Sequence, residues 1–138
     1  MRSKVLLVSN ILTTIYSSLL LWTFGGVIIE AGGLDYIEYW QQYFDLLFEL
    51  SGYSATAEII MTIVILLLVH IATFVLGAIF GWIAYLSKKS GLAKFAATLY
   101  LIGTICFPIY ILSGLPLAII GYVAGGKQKE INKSVIGV

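Results

Sequence analysis

Residues 59–86 read IIMTIVILLLVHIATFVLGAIFGWIAYL, a stretch with one histidine and no charged side chain. At about 1.5 Å per residue it is longer than the roughly 30 Å hydrocarbon core of a bilayer, so it predicts a long or tilted transmembrane helix. It runs directly into LSKKSGLAK at 86–94, where Lys88, Lys89 and Lys94 bring the first basic residues since Lys4. That abrupt change, from an apolar run to clustered lysine, marks a membrane boundary.

Upstream, residues 5–29 (VLLVSNILTTIYSSLLLWTFGGVII) form a second run long enough to cross. A cleaved secretory signal is the competing reading, but the apolar stretch is too long for a signal core and no clean small-x-small site follows it. Downstream, residues 95–125 are uncharged and measure 31 residues, long for one span and short for two. A single span would carry Lys127, Lys129 and Lys133 to the opposite side from Lys88 and Lys89. A hairpin avoids this, with arms at about 92–107 and 109–125 turning at Phe107–Pro108, where proline disfavours helix in the residue before it. Both arms are slightly short, so local thinning or a re-entrant hairpin among the other helices also fits.

The whole composition agrees. Hydrophobic residues make up 60% of the 138 positions and charged residues 11%, with a mean hydropathy of +1.01. Soluble domains run near 45–50% and about 25%, so nucleotide-binding, nucleic-acid-binding and disulfide-stapled secreted domains are excluded as classes. The expected fold is an all-α integral membrane protein: a four-helix transmembrane bundle, with an extracytoplasmic amphipathic helix between spans 1 and 2.

The few charges are segregated. All eight basic residues (Arg2, Lys4, Lys88, Lys89, Lys94, Lys127, Lys129, Lys133) lie outside positions 5–87, and six of the seven acids lie within them. Basic loops stay in the cytoplasm, so both termini and the 87–94 turn are predicted inside, and the chain is expected in the cell membrane as a multi-pass protein. The tail beyond 126 is read as a topology anchor on anionic inner-leaflet lipid, fraying beyond about residue 128.

The outer segment, EAGGLDYIEYWQQYFDLLFELSGYSATAE at 30–58, carries Ile37, Trp40, Phe44, Leu47 and Phe48 at three- and four-residue steps. Asp35, Glu38, Gln42, Asp45 and Glu49 repeat those steps on another face, predicting an amphipathic helix over about 34–50. Its acidic stripe is either a solvated face or a recognition surface for a cation, a cationic peptide or a partner's basic face.

Within the second span His70 shares a helical face with Thr73, Gly77, Gly81 and Ala84. An ionisable group at that depth is either a packed, hydrogen-bonded residue or a working one in proton relay, metal ligation or a pore. In the first span Asn10, Thr13, Thr14, Ser17 and Ser18 offer a polar side, and an antiparallel arrangement would bring Ser17 or Ser18 to His70. In the hairpin, Gly114 and Ala118, and likewise Gly121 and Gly125, are spaced for close contact, with Tyr100, Thr104 and Ser113 as interhelical hydrogen bonders.

No phosphate loop, H-E-x-x-H or G-x-S-x-G occurs, and Cys106 is the only cysteine. No catalytic, metal-binding or cofactor-binding residue is assigned, and no nucleic-acid partner. The layout is similar to that of small four-span membrane proteins of unknown function from Gram-positive bacteria, in its long first helix, outer polar segment, inner turn LSKKSGLAK and closing hairpin LYLIGTICFPIYILSGLPLAIIGYVAGGK. The resemblance implies no catalytic site. The expected function is non-enzymatic: helix-mediated association, as an accessory subunit of a membrane complex or an immunity-type protein, with the acidic outer helix as recognition surface. The alternative is a homo-oligomeric small transporter or channel with polar helix faces around His70.

Overall fold

The computed structural model describes residues 1–25, 42, 45, 46, 49 and 57–136. Among them every regular element is helical. Helix α1 spans Lys4–Leu20, starts under a Ser3 cap whose side chain accepts from the Leu6 N–H, and passes into one π-helical turn at Leu21–Gly25. The regular α-helix thus ends short of the expected 29, and residues 26–29 lie outside the described residues. Helix α2 spans Ala57–Ser87, α3 Ser90–Cys106 and α4 Ile111–Ile136, with a 3-10 turn at Pro108–Tyr110 before α4.

Three stretches, Lys4–Gly25, Thr62–Ser87 and Pro108–Val135, are long and apolar enough to cross a membrane, while α3 with 17 residues is shorter. The helices run antiparallel in sequence: Asn10 meets Gly81, His70 meets Gly103, and Ala97 faces Gly121. Helix α3 lies between α2 and α4, and α1 closes the bundle against both.

Helix α1 is inside-out relative to a helix of a soluble bundle, although the core it borders is apolar. Along α1 and its two flanks, Ser3, Leu6, Asn10, Thr13, Ser17, Leu20 and Phe24 form a buried seam in alternating steps of three and four residues, with Ser9 buried beside it. Most of that seam is polar, whereas the exposed face carries Val8, Ile11, Leu12, Ile15 and Leu19. Water would reward the reverse arrangement; a bilayer makes the apolar exterior the solvated one and leaves close packing and hydrogen bonds to hold the interior. The three-four spacing is that of helices packing at shallow angles.

Interior glycines make the approach possible. A Cβ added at Gly77 would run into the Tyr100 ring, at Gly103 into Thr73 Oγ1 and at Gly114 into Thr104. At Gly121 it would meet the Ala97 Cβ at 2.9 Å. The small-residue pairs expected in the hairpin are therefore its packing surface.

The tail departs from expectation. It does not fray at 128: α4 continues to Ile136, because Gln128 is buried and tied on three sides. Its Oε1 accepts from the Ser3 N–H at 2.9 Å, while its Nε2 donates to Met1 O at 3.3 Å and Asn132 Oδ1 at 2.8 Å. Asn132 Nδ2 in turn donates to Lys88 O at 2.8 Å, where Lys88 closes the α2–α3 turn with a φ of 57°. The N-terminus, that turn and the end of α4 are bound together, so the segments bearing all eight basic residues share one end of the bundle. Arg2 lies over the Tyr85 ring there, 5.3 Å from its centroid.

Candidate functional site: the buried histidine cluster

His70 has no exposed surface. Its Nδ1 lies 2.8 Å from Gly103 O, which can only accept, so Nδ1 carries the hydrogen and donates it. Its Nε2, 3.0 Å from the Tyr16 hydroxyl, is then the acceptor in the neutral ring, and Tyr16 donates. One tautomer satisfies both nitrogens, joining α1, α2 and α3 at a single ring. Tyr110 stacks on the imidazole at 5.5 Å, Phe74 lies at 4.8 Å and Phe107 at 6.0 Å.

The α2 stripe that begins at His70 turns mainly to α3, not to α1 as the sequence suggests. Thr73 faces Gly103, and Gly77 faces Tyr100; α1 is met at the two ends of the stripe, by His70 through Tyr16 and by Gly81 through Asn10. Asn10 Nδ2 donates to Gly81 O at 2.9 Å, and a Cβ on Gly81 would stand 2.6 Å from Asn10 Oδ1. Thr73, half-buried, returns its hydroxyl to Val69 O and His70 O within its own helix.

The expected contact of Ser17 or Ser18 with His70 does not form. Ser17 Oγ donates instead to Phe74 O at 3.1 Å, and Ser18 is exposed on the outer face of α1. The reason is helical phase: Tyr16, with its longer reach, covers the histidine, and Ser17 falls one turn further along α2. Thr14 points sideways, accepting from Trp82 Nε1 at 2.8 Å and donating to Asn10 O at 2.7 Å. Tyr16 is the residue that sequence reading missed; a tyrosine in mid-span among small polar residues was its signal.

Of the outer acidic stripe, Gln42, Asp45 and Glu49 are helical and exposed, as is Leu46. Asp35 and Glu38, and the remainder of the predicted 34–50 helix, lie outside the described residues. No group of three or more metal-ligating side chains occurs among the described residues. Tyr100, buried between α2 and α4, turns its hydroxyl towards Thr13 without a close hydrogen bond.

On the outside, a shallow groove of about 330 Å³ runs along α1, lined by Thr14, Ile15, Ser18, Leu19 and Trp22. Comparison with protein-family models, with curated proteins and with solved structures gave no match.

Proposed function

We propose that this chain is a multi-pass protein of the cell membrane that works by association, not by catalysis or transport. In this reading α1 and α2 cross the bilayer and the α3–α4 hairpin enters and leaves through the basic face. Both termini are cytoplasmic, and the acidic 34–50 segment is the extracytoplasmic recognition surface. Its role would be that of an accessory subunit of a larger membrane complex, or of an immunity-type protein that holds a cationic peptide.

The observation that carries the reading is the closure of the polar interior. Asn10, Ser17, Tyr16 and His70 each bond a neighbouring helix inside the bundle, and His70 has both ring nitrogens occupied. These groups act as the interhelical hydrogen bonds of a packed membrane bundle, which leaves recognition to the surface. The gathering of the basic segments at one end supports the orientation, since Lys and Arg favour the cytoplasmic side. A homo-oligomeric channel would instead need Asn10, Thr73, Ser17 and His70 turned towards a pore between copies; Asn10, Ser17 and His70 are buried within one copy.

Purification of the tagged protein from its native membrane in mild detergent tests this. A larger partner in stoichiometric amount is the expected result; a pure homo-oligomer that conducts ions in liposomes would overturn it. Reversing Asp35, Glu38, Asp45 and Glu49 to Lys should release that partner while the helices remain inserted.

A further inference from the structure

We propose that the α3–α4 hairpin is re-entrant: its apex at Phe107–Tyr110 ends inside the hydrocarbon core and is covered by lipid acyl chains. This rests on the membrane reading above, and four observations carry it beyond that reading.

The first is register. His70 on α2 and Gly103 on α3 are at one level, joined by the 2.8 Å hydrogen bond. From there α3 has four residues to Phe107, about 6 Å. Helix α2 stays apolar for eight residues in the same direction, to Thr62, which is about 12 Å. The apex is therefore recessed by roughly 6 Å behind the apolar end of its neighbour.

The second is length. The uncharged part of α3 from Phe95 to Cys106 covers about 18 Å against a core of roughly 30 Å. Snorkelling by Lys94 recovers only a few ångströms of the difference.

The third is the contrast between the two turns. The α2–α3 turn is Ser87, Lys88, Lys89 and Ser90, charged and largely exposed. The α3–α4 turn is Cys106, Phe107, Pro108, Ile109 and Tyr110, and no charged residue lies between Lys94 and Lys127. At its tip Ile105 is 69% exposed, Ile109 75% and Leu112 89%, in line with the outward rows of Ile102 and Leu115. A turn washed by water has no reason to present three bulky aliphatic side chains.

The fourth is the backbone. A turn in hydrocarbon has to satisfy its own polar groups. Phe107 N–H donates to Gly103 O at 3.1 Å, Tyr110 N–H to Phe107 O at 3.3 Å, and Ile111 N–H to Pro108 O. Pro108 has no N–H to satisfy, and Ser113 Oγ donates back to Tyr110 O at 3.2 Å.

The test uses single cysteines, Ile109→Cys and Leu112→Cys in a Cys106→Ala background, in sealed membrane vesicles of both orientations. Lys129→Cys reports the basic face and Glu49→Cys the opposite one. A membrane-impermeant maleimide needs thiolate in water. Both apex cysteines should react at least about tenfold more slowly than either control from either side, and react fully after detergent. An Ile109→Trp variant in lipid brominated along its acyl chains should be strongly quenched, which separates lipid cover from protein cover. Labelling of position 109 or 112 at the rate of Glu49→Cys, or the absence of bromine quenching in the Ile109→Trp variant, would overturn the re-entrant hairpin while leaving membrane insertion intact. Release of the whole protein by alkaline washing would overturn both readings together.

Discussion

Replacing His70 by alanine and, separately, by phenylalanine divides what the buried ring contributes. The histidine makes two interhelical hydrogen bonds, at 2.8 Å to Gly103 O and 3.0 Å to Tyr16, and has no exposed surface. Hydrogen bonds between membrane helices average about 0.6 kcal/mol and reach about 1.7 kcal/mol, so losing both costs about 1–2 kcal/mol. Truncation to alanine adds a cavity walled by Phe74, Phe107 and Tyr110. Large-to-small changes of a buried ring cost about 3–5 kcal/mol in all, so His70→Ala should lose about 3–4 kcal/mol. His70→Phe keeps a ring in the aromatic cage and should lose only about 1–2 kcal/mol, the hydrogen-bond part. Equilibrium unfolding in mixed micelles, read by near-ultraviolet circular dichroism of the surrounding tyrosines, measures both. Wild-type stability in His70→Ala would refute the packing role. Unchanged stability in both variants with loss of an uptake activity would make His70 a working group instead.

Four further substitutions probe the same packing. Gly81→Ala sets a Cβ 2.6 Å from Asn10 Oδ1 and should break the α1–α2 hydrogen bond at a cost of about 1–3 kcal/mol, whereas Gly91→Ala meets nothing within 4 Å and should be neutral or stabilising by up to about 1 kcal/mol. Comparing the two by detergent melting controls for helix propensity. Tyr100→Phe removes a buried hydroxyl whose polar neighbour, Thr13, already donates to Ser9 O and Asn10 O, so stability should hold within about 1 kcal/mol; a clear loss would mean that the hydroxyl is bonded to Thr13. Gln128→Leu deletes the ties to Ser3 and Met1 and should speed amide exchange over residues 3–7 and 128–136 by about tenfold, for a loss of about 1.4 kcal/mol, leaving α2 and α3 protected.

The helices were legible because apolar length, glycine and proline placement and lysine clusters are local signals. The α2 bounds and the turn at Phe107–Pro108 lie within a few residues of their predicted places. The α4 extension was not legible, since Gln128 reads as an ordinary tail residue until Ser3, 125 positions away, is found beside it. The inward face of α1 was legible as a polar stripe, but its phase was not: a shift of one residue decides between Ser17 and Tyr16 as the cover of His70. Nor did the stripe on α2 disclose its partner, because Gly77 could admit any helix, and the Tyr100 ring that fills the gap is chosen by the pairing of α3.

The same packing restricts how a partner can be held. Helices associate in a bilayer by close approach at small residues, and Gly77, Gly81, Gly103, Gly114, Gly121 and Gly125 already face neighbours inside the bundle. The outward rows carry Ile, Leu and Val, which compete poorly with lipid for another helix of the same kind. Polar groups interrupt those rows on α1, where Thr14 and Ser18 leave a groove bordered by Trp22, and on α3 and α4, where Thr98 and Tyr122 pair at 2.8 Å on the exposed side. Charge offers the other hold: the bases gather where Gln128 and Asn132 tie the termini to the α2–α3 turn, and six of the seven acids fall within residues 30–58 of the sequence. A partner reaching both the acidic segment and the α1 groove would touch adjoining parts of the sequence, because α1 leads directly into that segment.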